Sequence, residues 1–230
     1  MPDDSSSLFR NRHPHVVATI SSAAGWTKAE KIIPGSDLAP DLLEVRADLL
    51  PENIIDLSRL PLPVILTVRH PSEGGRGPAD AASRIAIYQR HWKNAVAIDI
   101  ELASVPELSS LISEARKMGL ACIFSHHDFT DTPSLTELRA MTQIAAHLGA
   151  NLFKVATTTD DVAQLSTLLA WVESESRLPL AAMGMGRLGK ISRPLLAQIG
   201  SQLNYGYLDA PVVPGQWPAS ELRRVIDSLP

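Results

Sequence analysis

A single-domain α/β fold, a (β/α)₈ or TIM barrel, is what the sequence predicts, and three observations predict it. Eight apolar, β-branched runs recur along the 230 residues. Stretches with helical periodicity separate most of them. Charged residues recur at period two inside two of the runs, which puts them on one face of a strand. Strands that alternate with helices imply parallel βαβ units. Eight units in about 215 residues suit a closed barrel better than an open doubly wound sheet. No Gly-x-Gly-x-x-Gly follows the first run, which counts against a dinucleotide-binding fold.

The strands are expected at residues 15–20, 42–49, 63–69, 95–102, 120–128, 151–157, 179–185 and 203–210. The clearer crossover helices are expected at 79–94, 106–118, 134–148, 160–174 and 218–229. The first crossover helix (within 27–33) and the second (near 52–57) have weaker periodicity. Ser104-Val-Pro-Glu107 and Thr132-Pro-Ser-Leu-Thr-Glu-Leu138 place Ser, Thr and Pro where helices start. Gly119 and Gly149 stand where helices stop. Residues 183–193 read as a long βα loop with glycine hinges that delivers Arg193 to the barrel mouth. Gly74-Gly-Arg-Gly77 matches neither a P-loop nor a dinucleotide fingerprint and reads as a mobile loop. Residues 1–14 read as a flexible tail, and 15–230 as the barrel.

Composition is that of an ordinary globular protein, 45% hydrophobic and 20% charged. A net charge of −4 gives no basic footprint for nucleic acid or an anionic membrane surface. The start, Met-Pro-Asp-Asp-Ser-Ser-Ser, is unlike a basic secretory signal, and no apolar run approaches the roughly 18–20 residues of a membrane span. The one cysteine, Cys122, lies in an apolar run and reads as a buried thiol in a reducing compartment. A soluble cytoplasmic protein is therefore expected.

Glu44, Arg46 and Asp48 share one face of the second strand, with Leu43, Val45 and Ala47 opposite. Asp99 and Glu101 repeat the pattern on the fourth. In a barrel the apolar face meets the helices, so these charges point inward and should form one network. A half-exposed antiparallel strand is the alternative. Further polar residues gather at strand C-termini, where barrel enzymes build their sites: Arg69, then His126, His127 and Asp128, then Lys154 on the sixth strand. Adjacent histidines point opposite ways, so one of the pair faces inward. A lysine inside an apolar strand is costly as an ammonium and nucleophilic as an amine. A lysine that snorkels to water or pairs with a carboxylate fits the same position. His126-His127 lacks the spacing that puts two metal ligands on one face, so no metal site is expected.

These residues match a family pattern. Glu44-Val-Arg46-Ala-Asp48, Thr67-Val-Arg69 followed by Glu73-Gly-Gly, Ser125-His-His127-Asp-Phe129, Phe153-Lys154-Val-Ala, Met183-x-Met185 with Gly189-x-x-Ser192-Arg193, and Pro214-Gly215-Gln216 occur in order. Taken together the chain resembles the type I 3-dehydroquinate dehydratases of the shikimate pathway, barrel enzymes that work through a lysine Schiff base. The resemblance implies that Lys154 forms the imine, His127 is general base and acid, and Glu73 orients it. It implies that Thr19, Glu44, Arg46, Arg69, Arg193 and Gln216 contact substrate or hold neighbouring side chains, the last on a closing loop. It implies 3-dehydroquinate as substrate, no cofactor and no metal, and leaves a homodimer open. One position departs: Val212 stands where the family commonly has serine. The chain ends just past the eighth helix, so the fused shikimate dehydrogenase domain of some relatives is not expected. A class I aldolase, which also uses a barrel-strand lysine imine, is the nearest rival. A non-catalytic barrel is the other, and it predicts damaged catalytic positions.

Overall fold

The computed structural model describes Phe9 and residues 13–229. The expected flexible tail, residues 1–14, lies outside the described residues except for Phe9, His13 and Pro14. Phe9 is buried among the apolar side chains that fill the barrel.

The strands are β1 (His15–Ile20), β2 (Leu42–Arg46), β3 (Val64–Thr67), β4 (Ala97–Glu101), β5 (Ala121–Asp128), β6 (Leu152–Thr158), β7 (Leu180–Met185), β8 (Leu203–Tyr207) and a short β9 (Trp217–Pro218). All pair in parallel, in the order β7-β6-β5-β4-β3-β2-β1-β8-β9. The eight expected strands are present, and β9 is an addition. β2 and β8 stop short of expectation because the chain turns: the Leu49 amide already bonds back to the Arg46 carbonyl at 2.9 Å. Alternate side chains face two apolar zones. Val16, Ala18, Leu43, Val45, Ile98, Ile100, Phe124 and Phe153 meet the helices. Val17, Leu42, Ile65, Ala97, Ile123 and Leu152 fill the lower barrel. Covered on both faces, the strands read as near-continuous apolar runs.

The barrel closes between β7 and β8, and only at its lower end. There Leu180 bridges Ser201, and the Gln202 amide bonds to the Leu180 carbonyl at 2.7 Å. Higher up no ladder joins the two strands, and a side chain takes its place, as described below.

The helices are α1 (Ala23–Ala29), α2 (Ala81–His91), α3 (Ser109–Lys117), α4 (Leu135–His147), α5 (Val162–Ser174), α6 (Gly189–Gln198) and α7 (Ala219–Ser228). Reciprocal capping boxes start α4 (Ser134 with Glu137) and α5 (Asp161 with Gln164). Left-handed Gly119 and Gly149 follow α3 and α4, as expected. Three expectations are corrected. The first crossover helix begins earlier, because the Ser22 side chain caps it by accepting from the Gly25 amide. The second crossover holds only two 3₁₀ turns, Glu52–Ile54 and Leu57–Arg59. The expected loop at 183–193 turns helical at Gly189, and α6 carries Pro194 in its interior.

At the lower face Asp41 joins three elements. Its carboxylate accepts from the Val16 amide at 2.7 Å and pairs with Arg223 of α7, with His15 Nδ1 at 3.8 Å. Burial alone would raise this carboxyl, but the nearby His15 ring and the hydrogen bonds of Val16 and Arg223 outweigh it and hold it at about 2. A folded-state value below the ordinary one means stability that is fully present above about pH 4 and lost as pH falls toward 2. Asp41→Asn should therefore lower stability by about 1 kcal/mol at neutral pH, after discounting for partial exposure. Urea melts at several pH values should show the difference shrinking on acidification. A pH-independent difference would show that the ion pair is not its source.

Candidate active site

The upper ends of β1 to β8 converge on one small cavity, lined by Thr19, Glu44, Arg46, Arg69, His127, Lys154, Met183, Met185, Arg193, Tyr205, Val212 and Gln216, among others. Eight of the nine site residues read from the sequence are in this lining, and the ninth, Glu73, lies directly behind His127.

Lys154 is buried at the middle of β6. Its Nζ donates to Asp99 Oδ2 at 2.8 Å and Glu44 Oε1 at 3.1 Å, and lies 3.9 Å from the centre of the Tyr205 ring. The lysine is therefore not held among apolar groups alone; it has charged partners from β2 and β4. Those partners are held in turn. Glu44 accepts from Thr19 Oγ1 at 3.0 Å and Thr67 Oγ1 at 3.1 Å. Asp99 accepts from Arg69 at 2.9 Å and Ser125 Oγ at 2.6 Å. Arg69 also bonds Glu101 at 2.8 Å. Burial alone would raise the Asp99 carboxyl, but Arg69 and Lys154 hold it well below the ordinary range. A buried charge stripped of its partner is strongly destabilising, so this chain of pairs fixes the Lys154 amine in place.

Of the inward charges on strands two and four, Glu44, Asp99 and Glu101 thus join one network, through Lys154 and Arg69, and Arg46 and Asp48 stand outside it. Arg46 instead makes a two-pronged pair with Asp48, both bonds at 2.8 Å. Asp48, past the end of β2, also accepts from the Arg76 amide at 3.3 Å.

His127 faces the cavity from β5, and His126 points the other way, which fits strand alternation. Glu73 Oε2 lies 2.9 Å from both the His127 amide and His127 Nδ1. The ring's Nε2 is left for the cavity. Burial pushes His127 well below the ordinary histidine range, and Arg69 and Lys154 add to it. Burial also pushes the Glu73 carboxyl up to about 7, against the pull of Arg69. An uncharged imidazole with an aligned partner is suited to take a proton. Glu73 is delivered by a 3₁₀ turn, Pro71–Glu73. Gly75 lets that turn fold back: a Cβ there would lie 1.9 Å from the Arg69 carbonyl oxygen.

Arg193 is the opposite case. It is buried, yet its guanidinium meets no carboxylate among the described residues; it donates to the Tyr205 carbonyl of β8 at 2.8 Å and the Gly184 carbonyl of β7 at 3.3 Å. The side chain thereby stitches the upper β7–β8 seam that lacks a ladder. Burial without a compensating anion pushes it down to about 10, and its Nε has no hydrogen-bond partner among the described residues. Gln216 belongs to the 208–216 segment, which docks on the start of α6 where Gly215 meets Gly189: a Cβ on Gly215 would be 2.9 Å from the Gly189 Cα. The Gln216 carbonyl oxygen accepts from the Val212 amide at 3.0 Å, so its NH₂ remains as a donor. Of the charged lining groups four are basic (Arg46, Arg69, Lys154 and Arg193) and only Glu44 is acidic, which favours an anionic ligand.

Sequence reading missed Arg84, Tyr88 and Tyr205. Arg84 is buried on α2, pairs with Glu101, and donates to Ser104 at 2.8 Å and the Val68 carbonyl at 3.1 Å. The Tyr88 hydroxyl donates to the Asp99 carbonyl at 2.5 Å. For metals, the one described group of three candidate ligands is His13, His15 and Asp41, remote from this cavity, with the Asp41 carboxylate already occupied by Arg223.

Comparison with known proteins agrees with this geometry. The family model for type I 3-dehydroquinase matches residues 24–229. The chain is 32% identical over 224 residues to the 3-dehydroquinate dehydratase of Methanothrix thermoacetophila, covering 96% of this chain and 94% of that one. The solved structure of 3-dehydroquinate dehydratase from Enterococcus faecalis aligns with a TM-score of 0.78 at 29% identity, covering 94% of each chain. The enzyme of the same name from Geobacillus kaustophilus aligns with a TM-score of 0.80 at 25% identity, covering 94% of this chain and 90% of that one.

Proposed function

The chain belongs to the type I 3-dehydroquinase family, and from that premise we propose that it dehydrates 3-dehydroquinate through an imine on Lys154, with His127 as base and then acid. The reaction is that of a hydro-lyase: loss of one water from 3-dehydroquinate gives 3-dehydroshikimate, a step of the shikimate pathway. The observation that carries the residue assignment is the convergence, in one cavity, of a held lysine, an uncharged histidine and an arginine without an anion.

Protons next to a ketone are weakly acidic. The Lys154 amine, after yielding a proton to Glu44 in hydrogen-bond reach, attacks the ketone carbon. Loss of water from the adduct leaves an iminium, an electron sink for the neighbouring carbon. His127 Nε2 then removes the C2 proton, and the electron pair moves into an enamine. The enamine expels the C1 hydroxyl, which leaves as water with the proton that His127 carries. Water adds to the conjugated iminium and frees both product and Lys154. Glu73 keeps Nδ1 bonded so that Nε2 faces the substrate. Arg193 and the Gln216 amide hold the carboxylate and so fix the pose in which C2 meets the histidine. Thr19, Glu44, Arg46 and Arg69 position the ring hydroxyls or the groups that contact them.

Enone absorbance after mixing the protein with 3-dehydroquinate tests the reading. A rise is expected with this ketone and none with fructose or sedoheptulose phosphates; turnover of the phosphates instead would favour the aldolase reading. The cytoplasm, where the buried thiol of Cys122 stays reduced, and assembly as a homodimer belong to the same proposal. Among the described residues no helix is long and apolar enough to cross a membrane.

Val212 lines the cavity beside Val213 and Gln216. Its side chain offers no donor where a serine hydroxyl would reach a bound carboxylate. A hydrogen bond to a charged group contributes roughly 1.5–3 kcal/mol. Val212→Ser should lower KM by about tenfold with a smaller change in kcat, since the contact acts equally in ground and transition states. An unchanged or higher KM would mean that Val212 serves only to pack the rim.

A further inference from the structure

Tyr205 stands in this cavity with a hydroxyl that the mechanism above leaves unused. Its carbonyl accepts from Arg193, and its ring lies over Lys154 Nζ at 3.9 Å. Its backbone thus meets the group assigned to the carboxylate, and its ring meets the group assigned to the ketone. On the intervening β7, the residue paired with Lys154 is Ala181, whose short side chain is compatible with a ring reaching across that strand.

A phenylalanine would supply the same ring face to Lys154. What tyrosine adds is the hydroxyl, and Oη is buried with no hydrogen-bond partner among the described residues. A buried hydroxyl without a partner is destabilising, and tyrosine hydroxyls normally find one. The nearby carboxylates do not take it. Glu44 is engaged by Thr19, Thr67 and Lys154, and Asp99 by Arg69, Ser125 and Lys154. Burial pushes the phenol well above its ordinary range, and Glu44 and Asp99 push it further, so it remains a protonated donor.

We propose that Tyr205 Oη donates a hydrogen bond to an oxygen of the bound substrate beside Lys154, and so selects an oxygen-bearing ring over an apolar one at that place. The inference rests on the dehydratase reading of the site and adds to it a contact that fixes specificity. A donor kept unpaired in the free enzyme and satisfied only by the ligand makes binding more selective, because an analogue lacking that oxygen leaves the hydroxyl buried and unmatched.

Tyr205→Phe tests this with two readouts, steady-state kinetics on 3-dehydroquinate and thermal melting of the free protein. The substitution should raise KM about tenfold or more with kcat within about twofold, as expected for loss of a contact made in both ground and transition states. The melting temperature of the free protein should stay the same or rise, because the change removes an unpaired hydroxyl and keeps the ring. A KM within twofold of the wild type would overturn the proposal. So would a melting temperature lower by several degrees, which would make the hydroxyl a structural partner within the protein. Wild-type turnover is measured beside the variant. Inactive wild type would remove the dehydratase reading, and this inference with it. Active wild type with an unaltered Tyr205→Phe variant would remove the inference alone.

Discussion

Lys154→Ala should reduce turnover of 3-dehydroquinate to background. Lys154 is the one lysine in the cavity lining, so no second amine can form the imine in its place. The substitution also removes the partner of Glu44 and one partner of Asp99, and breaking a buried pair costs about 3–5 kcal/mol. Asp99 keeps Arg69 and Ser125, and Glu44 keeps two threonine hydroxyls, so the barrel should fold with reduced stability. Lys154→Arg separates chemistry from electrostatics. It keeps a cation beside both carboxylates, yet a guanidinium stays protonated and cannot condense with a ketone. Both variants should be inactive, with the arginine variant the more stable. Substrate affinity should partly survive in each, read from the substrate-induced rise in melting temperature, because Arg193 and Gln216 are untouched. Appreciable turnover by a folded arginine variant would exclude an imine at this position.

His127→Ala should divide the reaction in two. Imine formation uses Lys154 and should continue, whereas C2 deprotonation should fail. A positioned acid–base group contributes about 10²–10⁴-fold, and His127 acts in two steps, so a loss of kcat at the upper end of that range or beyond is expected. Exchange of the C2 proton with heavy water should fall in parallel. His126→Ala should stay within a few-fold of wild type, because that ring faces away from the cavity. Full loss in the His126 variant with activity kept in the His127 variant would reverse the facing of β5. Histidine suits the double role here for a local reason. Burial, Arg69 and Lys154 disfavour its charged form, so the resting ring is ready to accept a proton, and Glu73 directs Nε2 at the substrate.

Much of this site was legible in the sequence because strand periodicity is strict. Glu44 with Arg46, and Asp99 with Glu101, could face only one way once Val45 and Ile100 were committed to the helices. The same parity chose His127 over His126. The family motifs supplied what periodicity cannot, namely that Glu73, far away in sequence, lies behind His127. The remainder failed for physical reasons. Arg84 lies on a helix, where a charged residue ordinarily faces water, and only the β3–β4 strand ends above it make a buried guanidinium tenable. α6 starts at Gly189 and carries Pro194 in its interior, both poor helix formers, and at Gly189 the close approach of Gly215 is visible only in the fold. The open upper β7–β8 seam left no trace in either strand, because Arg193, which closes it, comes from the helix between them. Tyr205 reads as an ordinary core aromatic until Lys154 is found beneath it.

Borohydride reduction during turnover, followed by peptide mass spectrometry, tests the central claim most directly. Hydride reduces an imine to a stable secondary amine, so the nucleophile keeps a permanent mark. Protein mixed with 3-dehydroquinate and borohydride should lose activity and carry one adduct, on the peptide that contains Lys154. The same treatment without substrate should leave that peptide unmodified. An adduct on any other lysine, or full activity retained after reduction during turnover, would contradict the account.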